Sequence, residues 1–367
     1  MNVFRYFMPV NAYFGKDCIS QKKEAMCVLG KKAMIVTGRS SARKNGALQD
    51  MTDALDALSI AWVLFDEVGE NPDLETVVRA AQMAKTEAVE FVIGIGGGSP
   101  MDATKAIAVL AANPEADSNI LFQDPKAKAL PVVEVPTTAG TGSEVTQYAI
   151  LTLHEKRTKQ GIVQPLFASV SFLDPKYMEH LSSAITNNTA VDAMSHLVES
   201  YLSANANAIS EKIVDMGLSY WKDCIPALRA RQYDAQVREK LMLASALGGV
   251  AIAQTSTSIP HALGYFLTYE KGIAHGRANG MVMQAYLDLF GKENERVQHV
   301  LSCLGLASTE ELGALLRDIL DCPETFTEDD IQYYAKRAME NPPKLATFPL
   351  YALDEEKIQN VYRNSLL

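Results

Sequence analysis

Short apolar runs alternate with amphipathic segments through the first half of the chain. Four runs, at residues 33–37, 61–65, 91–95 and 131–135, are rich in Val, Ile, Leu and Phe and have the length of buried strands. The segments between them, at residues 45–58, 71–84 and 99–112, repeat apolar residues at helical spacing, and Asn71 is expected to cap the second of these helices. Strands that alternate with helices indicate an α/β domain, with a parallel sheet and helices on both faces.

The pattern changes at about residue 182. From there on the chain is rich in Ala, Leu, Met and Glu, as in residues 188–204, 209–221 and 234–254, and it contains no convincing strand pattern. A chain of 367 residues is long enough for two domains. We therefore expect an α/β domain at residues 1–181 and an all-helical domain at residues 182–367.

Composition argues against several classes of function. The formal net charge of −10 argues against a nucleic-acid partner, which would require clustered Lys and Arg. The five cysteines are widely spaced and form no C-x-x-C, so they predict reduced thiols and no metal held by sulfur. The first ten residues lack the pattern of a signal peptide, and no uncharged apolar run reaches about 18 residues. We therefore expect a cytoplasmic protein that does not cross a membrane.

A glycine-rich segment, GIGGGSPMDATK at residues 94–105, joins the third apolar run to the next helix. Glycines let the backbone approach a phosphate closely, and the start of a helix offers unpaired N–H groups there. Ser99 is expected to cap this helix. The alternative is a tight strand-to-helix turn, but three consecutive glycines exceed what a turn needs. The segment is not the usual G-x-G-x-x-G of dinucleotide-binding proteins.

A second polar segment, PTTAGTGSE at residues 136–144, follows the fourth apolar run. The carboxyl ends of parallel strands lie at one edge of a sheet, where ligands bind in open α/β folds. This segment is therefore expected beside the glycine-rich one. Taken alone, it is equally consistent with an ordinary Ser/Thr-rich loop.

Four side chains in the second half are candidate metal ligands. Asp192 and His196 are one helical turn apart, and Glu199 continues the same face. His261 and His275 lie in glycine-flanked, mainly apolar segments. Taken separately, these residues are more typical of a surface ion pair and of buried core histidines. Together, three imidazoles and a carboxylate form a ligand set suited to Fe²⁺ or Zn²⁺, with positions left open for substrate.

In order and spacing, these four motifs resemble the iron-containing (group III) alcohol dehydrogenases. The resemblance extends over nearly the whole chain, is weakest after about Glu293, and is strongest to the NADP-using butanol and propanediol dehydrogenase branch. It implies hydride transfer between NAD(P)(H) and a small primary alcohol or aldehyde, with the active site in a cleft between a dinucleotide-binding α/β domain and a helical domain. It also implies a homodimer or a larger homo-oligomer.

The resemblance assigns roles to individual residues. The metal ligands it implies are Asp192, His196, His261 and His275. The residues that it places at the cofactor are Gly96, Gly97, Gly98 and Ser99 at the pyrophosphate, the following acidic residue Asp102, Thr137, Thr138 and Thr141 near the adenosine, and Lys159.

The sequence departs from the family pattern after the first core strand. Many members have an acidic residue there, which binds the adenosine ribose, whereas this chain has Gly38 followed by RSSARK at residues 39–44. Loss of the carboxylate, together with Ser40, Ser41 and three basic residues, favours a 2′-phosphate, so NADP is expected in preference to NAD. The alternative is a solvated basic helix start.

A second departure is Tyr265, which stands where many members have a histidine proposed to relay a proton. Tyrosine is a poor base near neutral pH, so the proton route is expected to use water or the cofactor ribose. Two other functions remain open at this point. One is a polyol dehydrogenase similar to glycerol dehydrogenase, and the other is a nucleotide-sensing protein without catalytic activity.

Overall fold

The computed structural model describes residues 3–340 and 342–367, and these form two compact units. The first, called the α/β unit below, contains residues 8–138 and 142–180. The second, called the helical unit, contains residues 139–141, residues 181–367 and the N-terminal segment that ends at Phe7. The expected domain boundary between residues 181 and 182 stays a prediction.

The α/β unit contains eight described strands and six short or medium helices. The strands are β1 (Asn11–Phe14), β2 (Lys32–Thr37), β3 (Ala61–Phe65), β4 (Phe91–Gly96), β5 (Val132–Pro136), β6 (Ile150–Leu153), β7 (Thr158–Gly161) and β8 (Val170–Leu173). The helices are α1 (Cys18–Lys22), α2 (Ser41–Lys44), α3 (Ala47–Ala57), α4 (Leu74–Thr86), α5 (Gly98–Ala112) and α6 (Ile120–Gln123). Single turns of 3₁₀ helix lie at Lys23–Met26, Ser143–Val145, His154–Lys156 and Pro175–Met178.

Six of the strands form one parallel sheet in the order β1-β8-β5-β4-β2-β3. The four strands predicted from apolar runs are β2, β3, β4 and β5, and all four are confirmed. The sequence did not predict β1 and β8, which pair with each other, or the antiparallel hairpin of β6 and β7.

Side chains alternate between the two faces of the sheet, and each face packs against its own helices. Ala33 and Ile35 of β2 belong to a core that includes Met51 and Leu55 of α3. Met34 and Val36 lie in the opposite core, which contains apolar residues of α4 and α5. Because both faces are covered, the central strands read as continuous apolar runs, and the expected fold class is confirmed.

All described elements after residue 182 are helices. They are α7 (Ser183–Leu202), α8 (Ala208–Asp223), α9 (Ile225–Ala230), α10 (Ala235–Thr255), α11 (Ile259–Lys271), α12 (His275–Asp288), α13 (Glu295–Leu304), α14 (Thr309–Ile319), α15 (Glu328–Met339), α16 (Pro342–Leu345) and α17 (Glu355–Leu366). Within the described residues, no single helix has the length and apolar character to cross a membrane. Helices α10 and α11 reach the required length and apolar character only when taken together, and the chain bends by 111° at their junction.

Candidate active site

The glycine-rich segment forms the turn between β4 and α5, and its glycines are required by close packing. A Cβ atom on Gly94 would lie 2.8 Å from Thr104 Oγ1, so glycine lets α5 pack directly against the strand. Gly96 has φ +155°, and its added Cβ would lie 2.6 Å from Pro100 Cγ. The helix cap is Gly97 rather than Ser99, so the expected capping role of Ser99 is wrong. This turn leaves the backbone N–H groups at the start of α5 without intrahelical partners.

The threonine-rich segment lies beside the glycine-rich turn, as expected from the sheet edge. Thr137 donates its backbone N–H to Gly96 O at 2.8 Å. A Cβ atom on Gly97 would lie 3.2 Å from Thr138 Oγ1, so these two segments approach closely. Thr141 belongs to the short stretch that clusters with the helical unit.

Asp102, one turn into α5, holds the loop that follows β5. Its Oδ1 accepts a hydrogen bond from Ser143 Oγ at 2.7 Å, and its Oδ2 accepts one from Ile150 N at 2.9 Å. Burial raises the pKa of Asp102, although Lys105 opposes that shift. Since both oxygens bind protein donors, the carboxylate fixes the path of the chain next to the glycine-rich turn.

Lys105 is fully buried and anchors the same loop. Its Nζ donates to Ser143 O at 2.7 Å and to Thr146 O and Tyr148 O at 3.0 Å each. It also lies 3.7 Å from Glu134 Oε1 on β5. Burial raises the pKa of Glu134 to about 8, although the Lys105 charge lowers it. No sequence motif distinguished this lysine, because lysines are common in helices.

Asn71 links two of the predicted cofactor residues. Its backbone N–H donates to Ser99 Oγ at 3.0 Å, and its Oδ1 accepts a hydrogen bond from Lys159 Nζ at 2.6 Å. The expected helix cap at Asn71 is wrong, because α4 begins at Leu74 and Asp73 accepts the capping bond from the Thr76 N–H at 2.6 Å. Asn71 has φ +56°, a conformation that asparagine tolerates better than most residues.

The segment after β2 begins with Gly38, where an added Cβ would lie 3.3 Å from Val68 O. Ser40 precedes the single turn of α2, and Ser40 and Ser41 are exposed. Arg43 forms a salt bridge with Asp66, with Nη2 and Oδ2 2.9 Å apart. One of the three basic side chains in this segment therefore already has an acidic partner.

Three of the four predicted metal ligands lie together in the helical unit. Asp192 is on α7, His261 on α11 and His275 at the first position of α12. One ligand atom from each of these residues lies within 4.8 Å of the other two. Asp192 Oδ1 is 3.5 Å from His261 Nε2 and 3.9 Å from His275 Nε2. The ring of His196 stacks on that of His261, with centroids 4.6 Å apart, but His196 is not part of this group of three.

Hydrogen bonds fix the orientation of two histidine rings. Glu199 Oε1 accepts a hydrogen bond from His261 Nδ1 at 2.6 Å, which leaves Nε2 facing Asp192. His196 Nδ1 lies 3.2 Å from Gly140 O, and because a carbonyl only accepts, this nitrogen carries the proton. A buried carboxylate or carbonyl behind a histidine is the usual arrangement at metal centres, where it selects the tautomer that binds metal.

Electrostatics favour an ionised Asp192 and a neutral His196, whereas the pKa of His261 is raised because the opposing effect of burial is outweighed by Glu199 and Asp192. Burial alone would raise the pKa of Asp192, but His196, His275 and His261 together lower it below the ordinary range. Burial lowers the pKa of His196 to about 4, against the opposing effect of Asp192. Both shifts favour the protonation states that bind a divalent cation.

Asn279 is a further polar residue at this cluster. Its Nδ2 lies 3.0 Å from Asp192 Oδ1, 3.2 Å from His261 Nε2 and 3.4 Å from His275 Nε2. A partially positive N–H group therefore lies where the three ligand atoms converge. A Cβ atom on Gly264 would lie 2.3 Å from Asn279 Oδ1, so glycine makes room for the amide. The donor set, one carboxylate and imidazole nitrogens around a single point, fits Fe²⁺ or Zn²⁺.

Comparison with known proteins gives the family. Residues 9–175 match the family described as iron-containing alcohol dehydrogenase, and residues 186–366 match the C-terminal part of the same family. The chain belongs to the iron-containing alcohol dehydrogenase family. It is therefore an NAD(P)-dependent oxidoreductase that acts on alcohols or aldehydes, and the polyol dehydrogenase and the sensor become the less favoured alternatives.

Relatives of this dehydrogenase include bacterial alcohol dehydrogenases. It is 33% identical over 289 residues to a 1,3-propanediol dehydrogenase of Klebsiella pneumoniae, with 77% of this chain and 74% of the relative covered. An iron-containing alcohol dehydrogenase structure from Thermotoga maritima is 38% identical, with a TM-score of 0.92 and 99% of each chain covered. The NADH-dependent butanol dehydrogenase A of the same organism is 25% identical, with a TM-score of 0.89, and covers 100% of this chain and 99% of its own.

Two features of the dehydrogenase's helical unit could not be predicted from motifs. Gly276 lies so close to α7 that an added Cβ would be 1.9 Å from Asn188 O. Tyr265 lies beside His275, with ring centroids 5.4 Å apart, and its hydroxyl accepts a hydrogen bond from Lys344 Nζ at 2.7 Å. Of the polar residues that the sequence analysis missed, Asn279 was the easiest to predict, because it follows His275 by one helical turn and therefore lies on the same helix face.

Proposed function

We propose that the enzyme interconverts short aliphatic aldehydes and primary alcohols with NADP(H), at a divalent metal held by Asp192, His196, His261 and His275. The observation that carries this proposal is the convergence of Asp192 Oδ1, His261 Nε2 and His275 Nε2 to within 4.8 Å of one another. Helix α7 and the consecutive helices α11 and α12 bring these atoms together. Fe²⁺ is the proposed metal and Zn²⁺ the second choice, because the ligand types suit both.

Each protein side chain has a defined task in this proposal. A bound metal supplies Lewis-acid stabilisation of the charge that develops on the substrate oxygen, and the nicotinamide supplies or accepts the hydride. Glu199 holds His261 in the tautomer that presents Nε2, and Gly140 O does the same for His196. Tyr265, with Lys344 donating to its hydroxyl, is not assigned as the base.

The α/β unit is proposed to bind the cofactor at the edge formed by the ends of β4 and β5. Support comes from the open helix start at the glycine-rich turn and from the contact between this turn and Thr137. A domain boundary after residue 181 is part of the same proposal. The residues proposed at the cofactor are Gly38, Ser40, Ser41, Gly96, Gly97, Gly98, Ser99, Asp102, Thr137, Thr138, Thr141 and Lys159.

The preference for NADP over NAD is proposed from the segment after β2. Gly38 leaves no carboxylate to bind the ribose hydroxyls, and exposed Ser40 and Ser41 offer donors to a 2′-phosphate. Arg43 is paired with Asp66, so Arg39 is the more available cation. One structural relative is described as NADH-dependent, so the proposed preference would distinguish this chain from that relative.

Substrate class and cellular setting are proposed from the relatives' names and from composition. The relatives include dehydrogenases of 1,3-propanediol and butanol, both of which are small primary alcohols. A cytoplasmic homodimer or larger homo-oligomer, without nucleic-acid or membrane partners, is the proposed state of the enzyme.

The test is anaerobic reduction of butyraldehyde by Fe²⁺-loaded enzyme, with NADPH and NADH compared at equal concentration. Faster turnover with NADPH would support the class, the metal and the cofactor preference together. Faster turnover with NADH would contradict the assignment of residues 38–44 and leave the metal site intact. The H275A variant should lose both metal and activity, and a variant active with normal metal content would refute the ligand set.

A further inference from the structure

A second cluster of metal-binding side chains lies in the helical unit, and none of its members belongs to the active site. Asp215 is on α8, and His299 and Cys303 are one turn apart on α13. His299 Nε2 is 2.7 Å from Asp215 Oδ1 and 3.5 Å from Cys303 Sγ, and the sulfur is 4.0 Å from Asp215 Oδ1. The three donor atoms lie within 4.8 Å of one another.

The arrangement differs from a nucleophile–base relay. In such a relay the carboxylate binds one ring nitrogen of histidine, and the nucleophile faces the other. Here Asp215 Oδ1 and Cys303 Sγ both lie at Nε2 of His299. All three donors therefore point to one place, as ligands of a single cation do.

The distances are close to those of a tetrahedral site. Bonds of about 2.0 Å to nitrogen or oxygen and about 2.3 Å to sulfur, at tetrahedral angles, separate nitrogen and sulfur ligands by about 3.6 Å and two nitrogen or oxygen ligands by about 3.3 Å. The His299–Cys303 distance of 3.5 Å already matches. Asp215 would have to move about 0.6 Å from His299 and about 0.4 Å toward the sulfur, shifts within reach of side-chain rotation.

The surroundings hold the histidine and leave access from solvent. The ring of His299 stacks on that of Tyr201, with centroids 4.9 Å apart and an interplanar angle of 14°. The side chain of His299 remains 40% exposed, so an ion and a water ligand can reach it. Lys212 pairs with the other oxygen of Asp215, Oδ2, at 2.8 Å, but its side chain is 81% exposed and such surface pairs are weak.

We propose that Asp215, His299 and Cys303 bind a second divalent metal ion of the zinc class, with water as the fourth ligand. Binding forms metal–nitrogen, metal–oxygen and metal–sulfur bonds: His299 binds through Nε2 as the tautomer with its proton on Nδ1, and the Cys303 thiol gives up its proton to solvent. The ion would join α8 to α13 and would be chemically distinct from the active-site metal, whose proposed ligands contain no sulfur. This proposal departs from the expectation that no metal is held by sulfur, which considered only cysteines close together in sequence.

Cobalt distinguishes the two sites, because only a thiolate ligand gives a near-ultraviolet sulfur-to-cobalt charge-transfer band. We would titrate Co²⁺ into metal-free H275A enzyme and record the absorption spectrum. The band should appear with one Co²⁺ per chain and should bleach when Zn²⁺ displaces the cobalt. C303S should abolish the band, and H299Q should weaken Co²⁺ binding by at least about tenfold, since even supporting residues of metal sites contribute that much.

The C27S variant is the control, because Cys27 is an exposed free cysteine outside this cluster. It should keep the full band. A wild-type spectrum without the band, or a band that survives C303S, would overturn the proposal. The cobalt spectrum does not depend on turnover, so failure of the proposed function leaves this test unaffected. C303S loaded with Fe²⁺ should reduce butyraldehyde as the wild type does.

Discussion

Glu199 offers a test of the proposed active-site metal that changes no ligand. Three donors meet at its buried carboxylate: Ser195 Oγ at 2.5 Å and His261 Nδ1 at 2.6 Å bind Oε1, and the Ser258 N–H binds Oε2 at 2.6 Å. The E199Q variant keeps the shape of the side chain but replaces one acceptor oxygen by an NH₂ donor. That single change cannot satisfy all three donors.

Either orientation of the new amide carries a cost. If its NH₂ faces Ser258, a buried N–H loses its acceptor, which costs about 1–3 kcal/mol. If the NH₂ faces His261, the ring is driven to the other tautomer, and Nε2 carries a proton instead of the lone pair that binds metal. Comparable changes behind metal-bound histidines weaken affinity about 10–100-fold, which corresponds to about 1.4–2.7 kcal/mol.

The assay is competition between enzyme and a chelator for Zn²⁺ near neutral pH, with thermal unfolding of the metal-free proteins as a check on folding. E199Q should bind Zn²⁺ at the active site about 10–100-fold more weakly than the wild type. S195A is the control, because it removes one donor and keeps the carboxylate, so its loss should be smaller. Wild-type affinity in a folded E199Q variant would refute the reasoning.

Three further substitutions test other parts of the structure. K105M should lower the free energy of unfolding by at least about 3 kcal/mol in chemical denaturation, because three buried or part-buried carbonyl oxygens lose their donor and each costs about 1–3 kcal/mol; a loss under about 1 kcal/mol would contradict the anchoring role. G276A should reduce bound metal measured by elemental analysis, since its Cβ would meet Asn188 O, and full occupancy would argue against that contact. G38D should lower the ratio of kcat/KM for NADPH over NADH by more than about tenfold through repulsion of the 2′-phosphate, and an unchanged ratio would count against the NADP assignment.

Four of the six strands of the parallel sheet were predictable, and the paired strands β1 and β8 were not. Strands β2, β4 and β5 read as clear apolar runs because helices cover both faces, and β3 at the edge still has the apolar run AWVLF. Strand β1 has only four residues, three of them exposed, and its pairing with β8 depends on a contact between distant parts of the chain. Local sequence contains no signal for such a contact.

Some residues of the candidate site could likewise be predicted from the sequence, and others could not. Histidines are rare in this chain, with six in 367 residues, so His261 and His275 were conspicuous. Asn71, Lys105 and Asn279 are ordinary polar residue types, and only their burial and partners mark them. The triad of Asp215, His299 and Cys303 joins residues 84 positions apart, a separation that no local motif reveals.

The strand order also has a consequence for how the chain is made. β1 pairs with β8, whose first residue follows the first residue of β1 by 159 positions (170 minus 11). At about 5–20 residues per second, a ribosome would keep β1 waiting about 8–30 s for its partner. By then no proposed metal ligand has been synthesised, since Asp192 comes later. All strands of the parallel sheet are thus synthesised before any proposed metal ligand, so metal binding would follow the synthesis of the sheet.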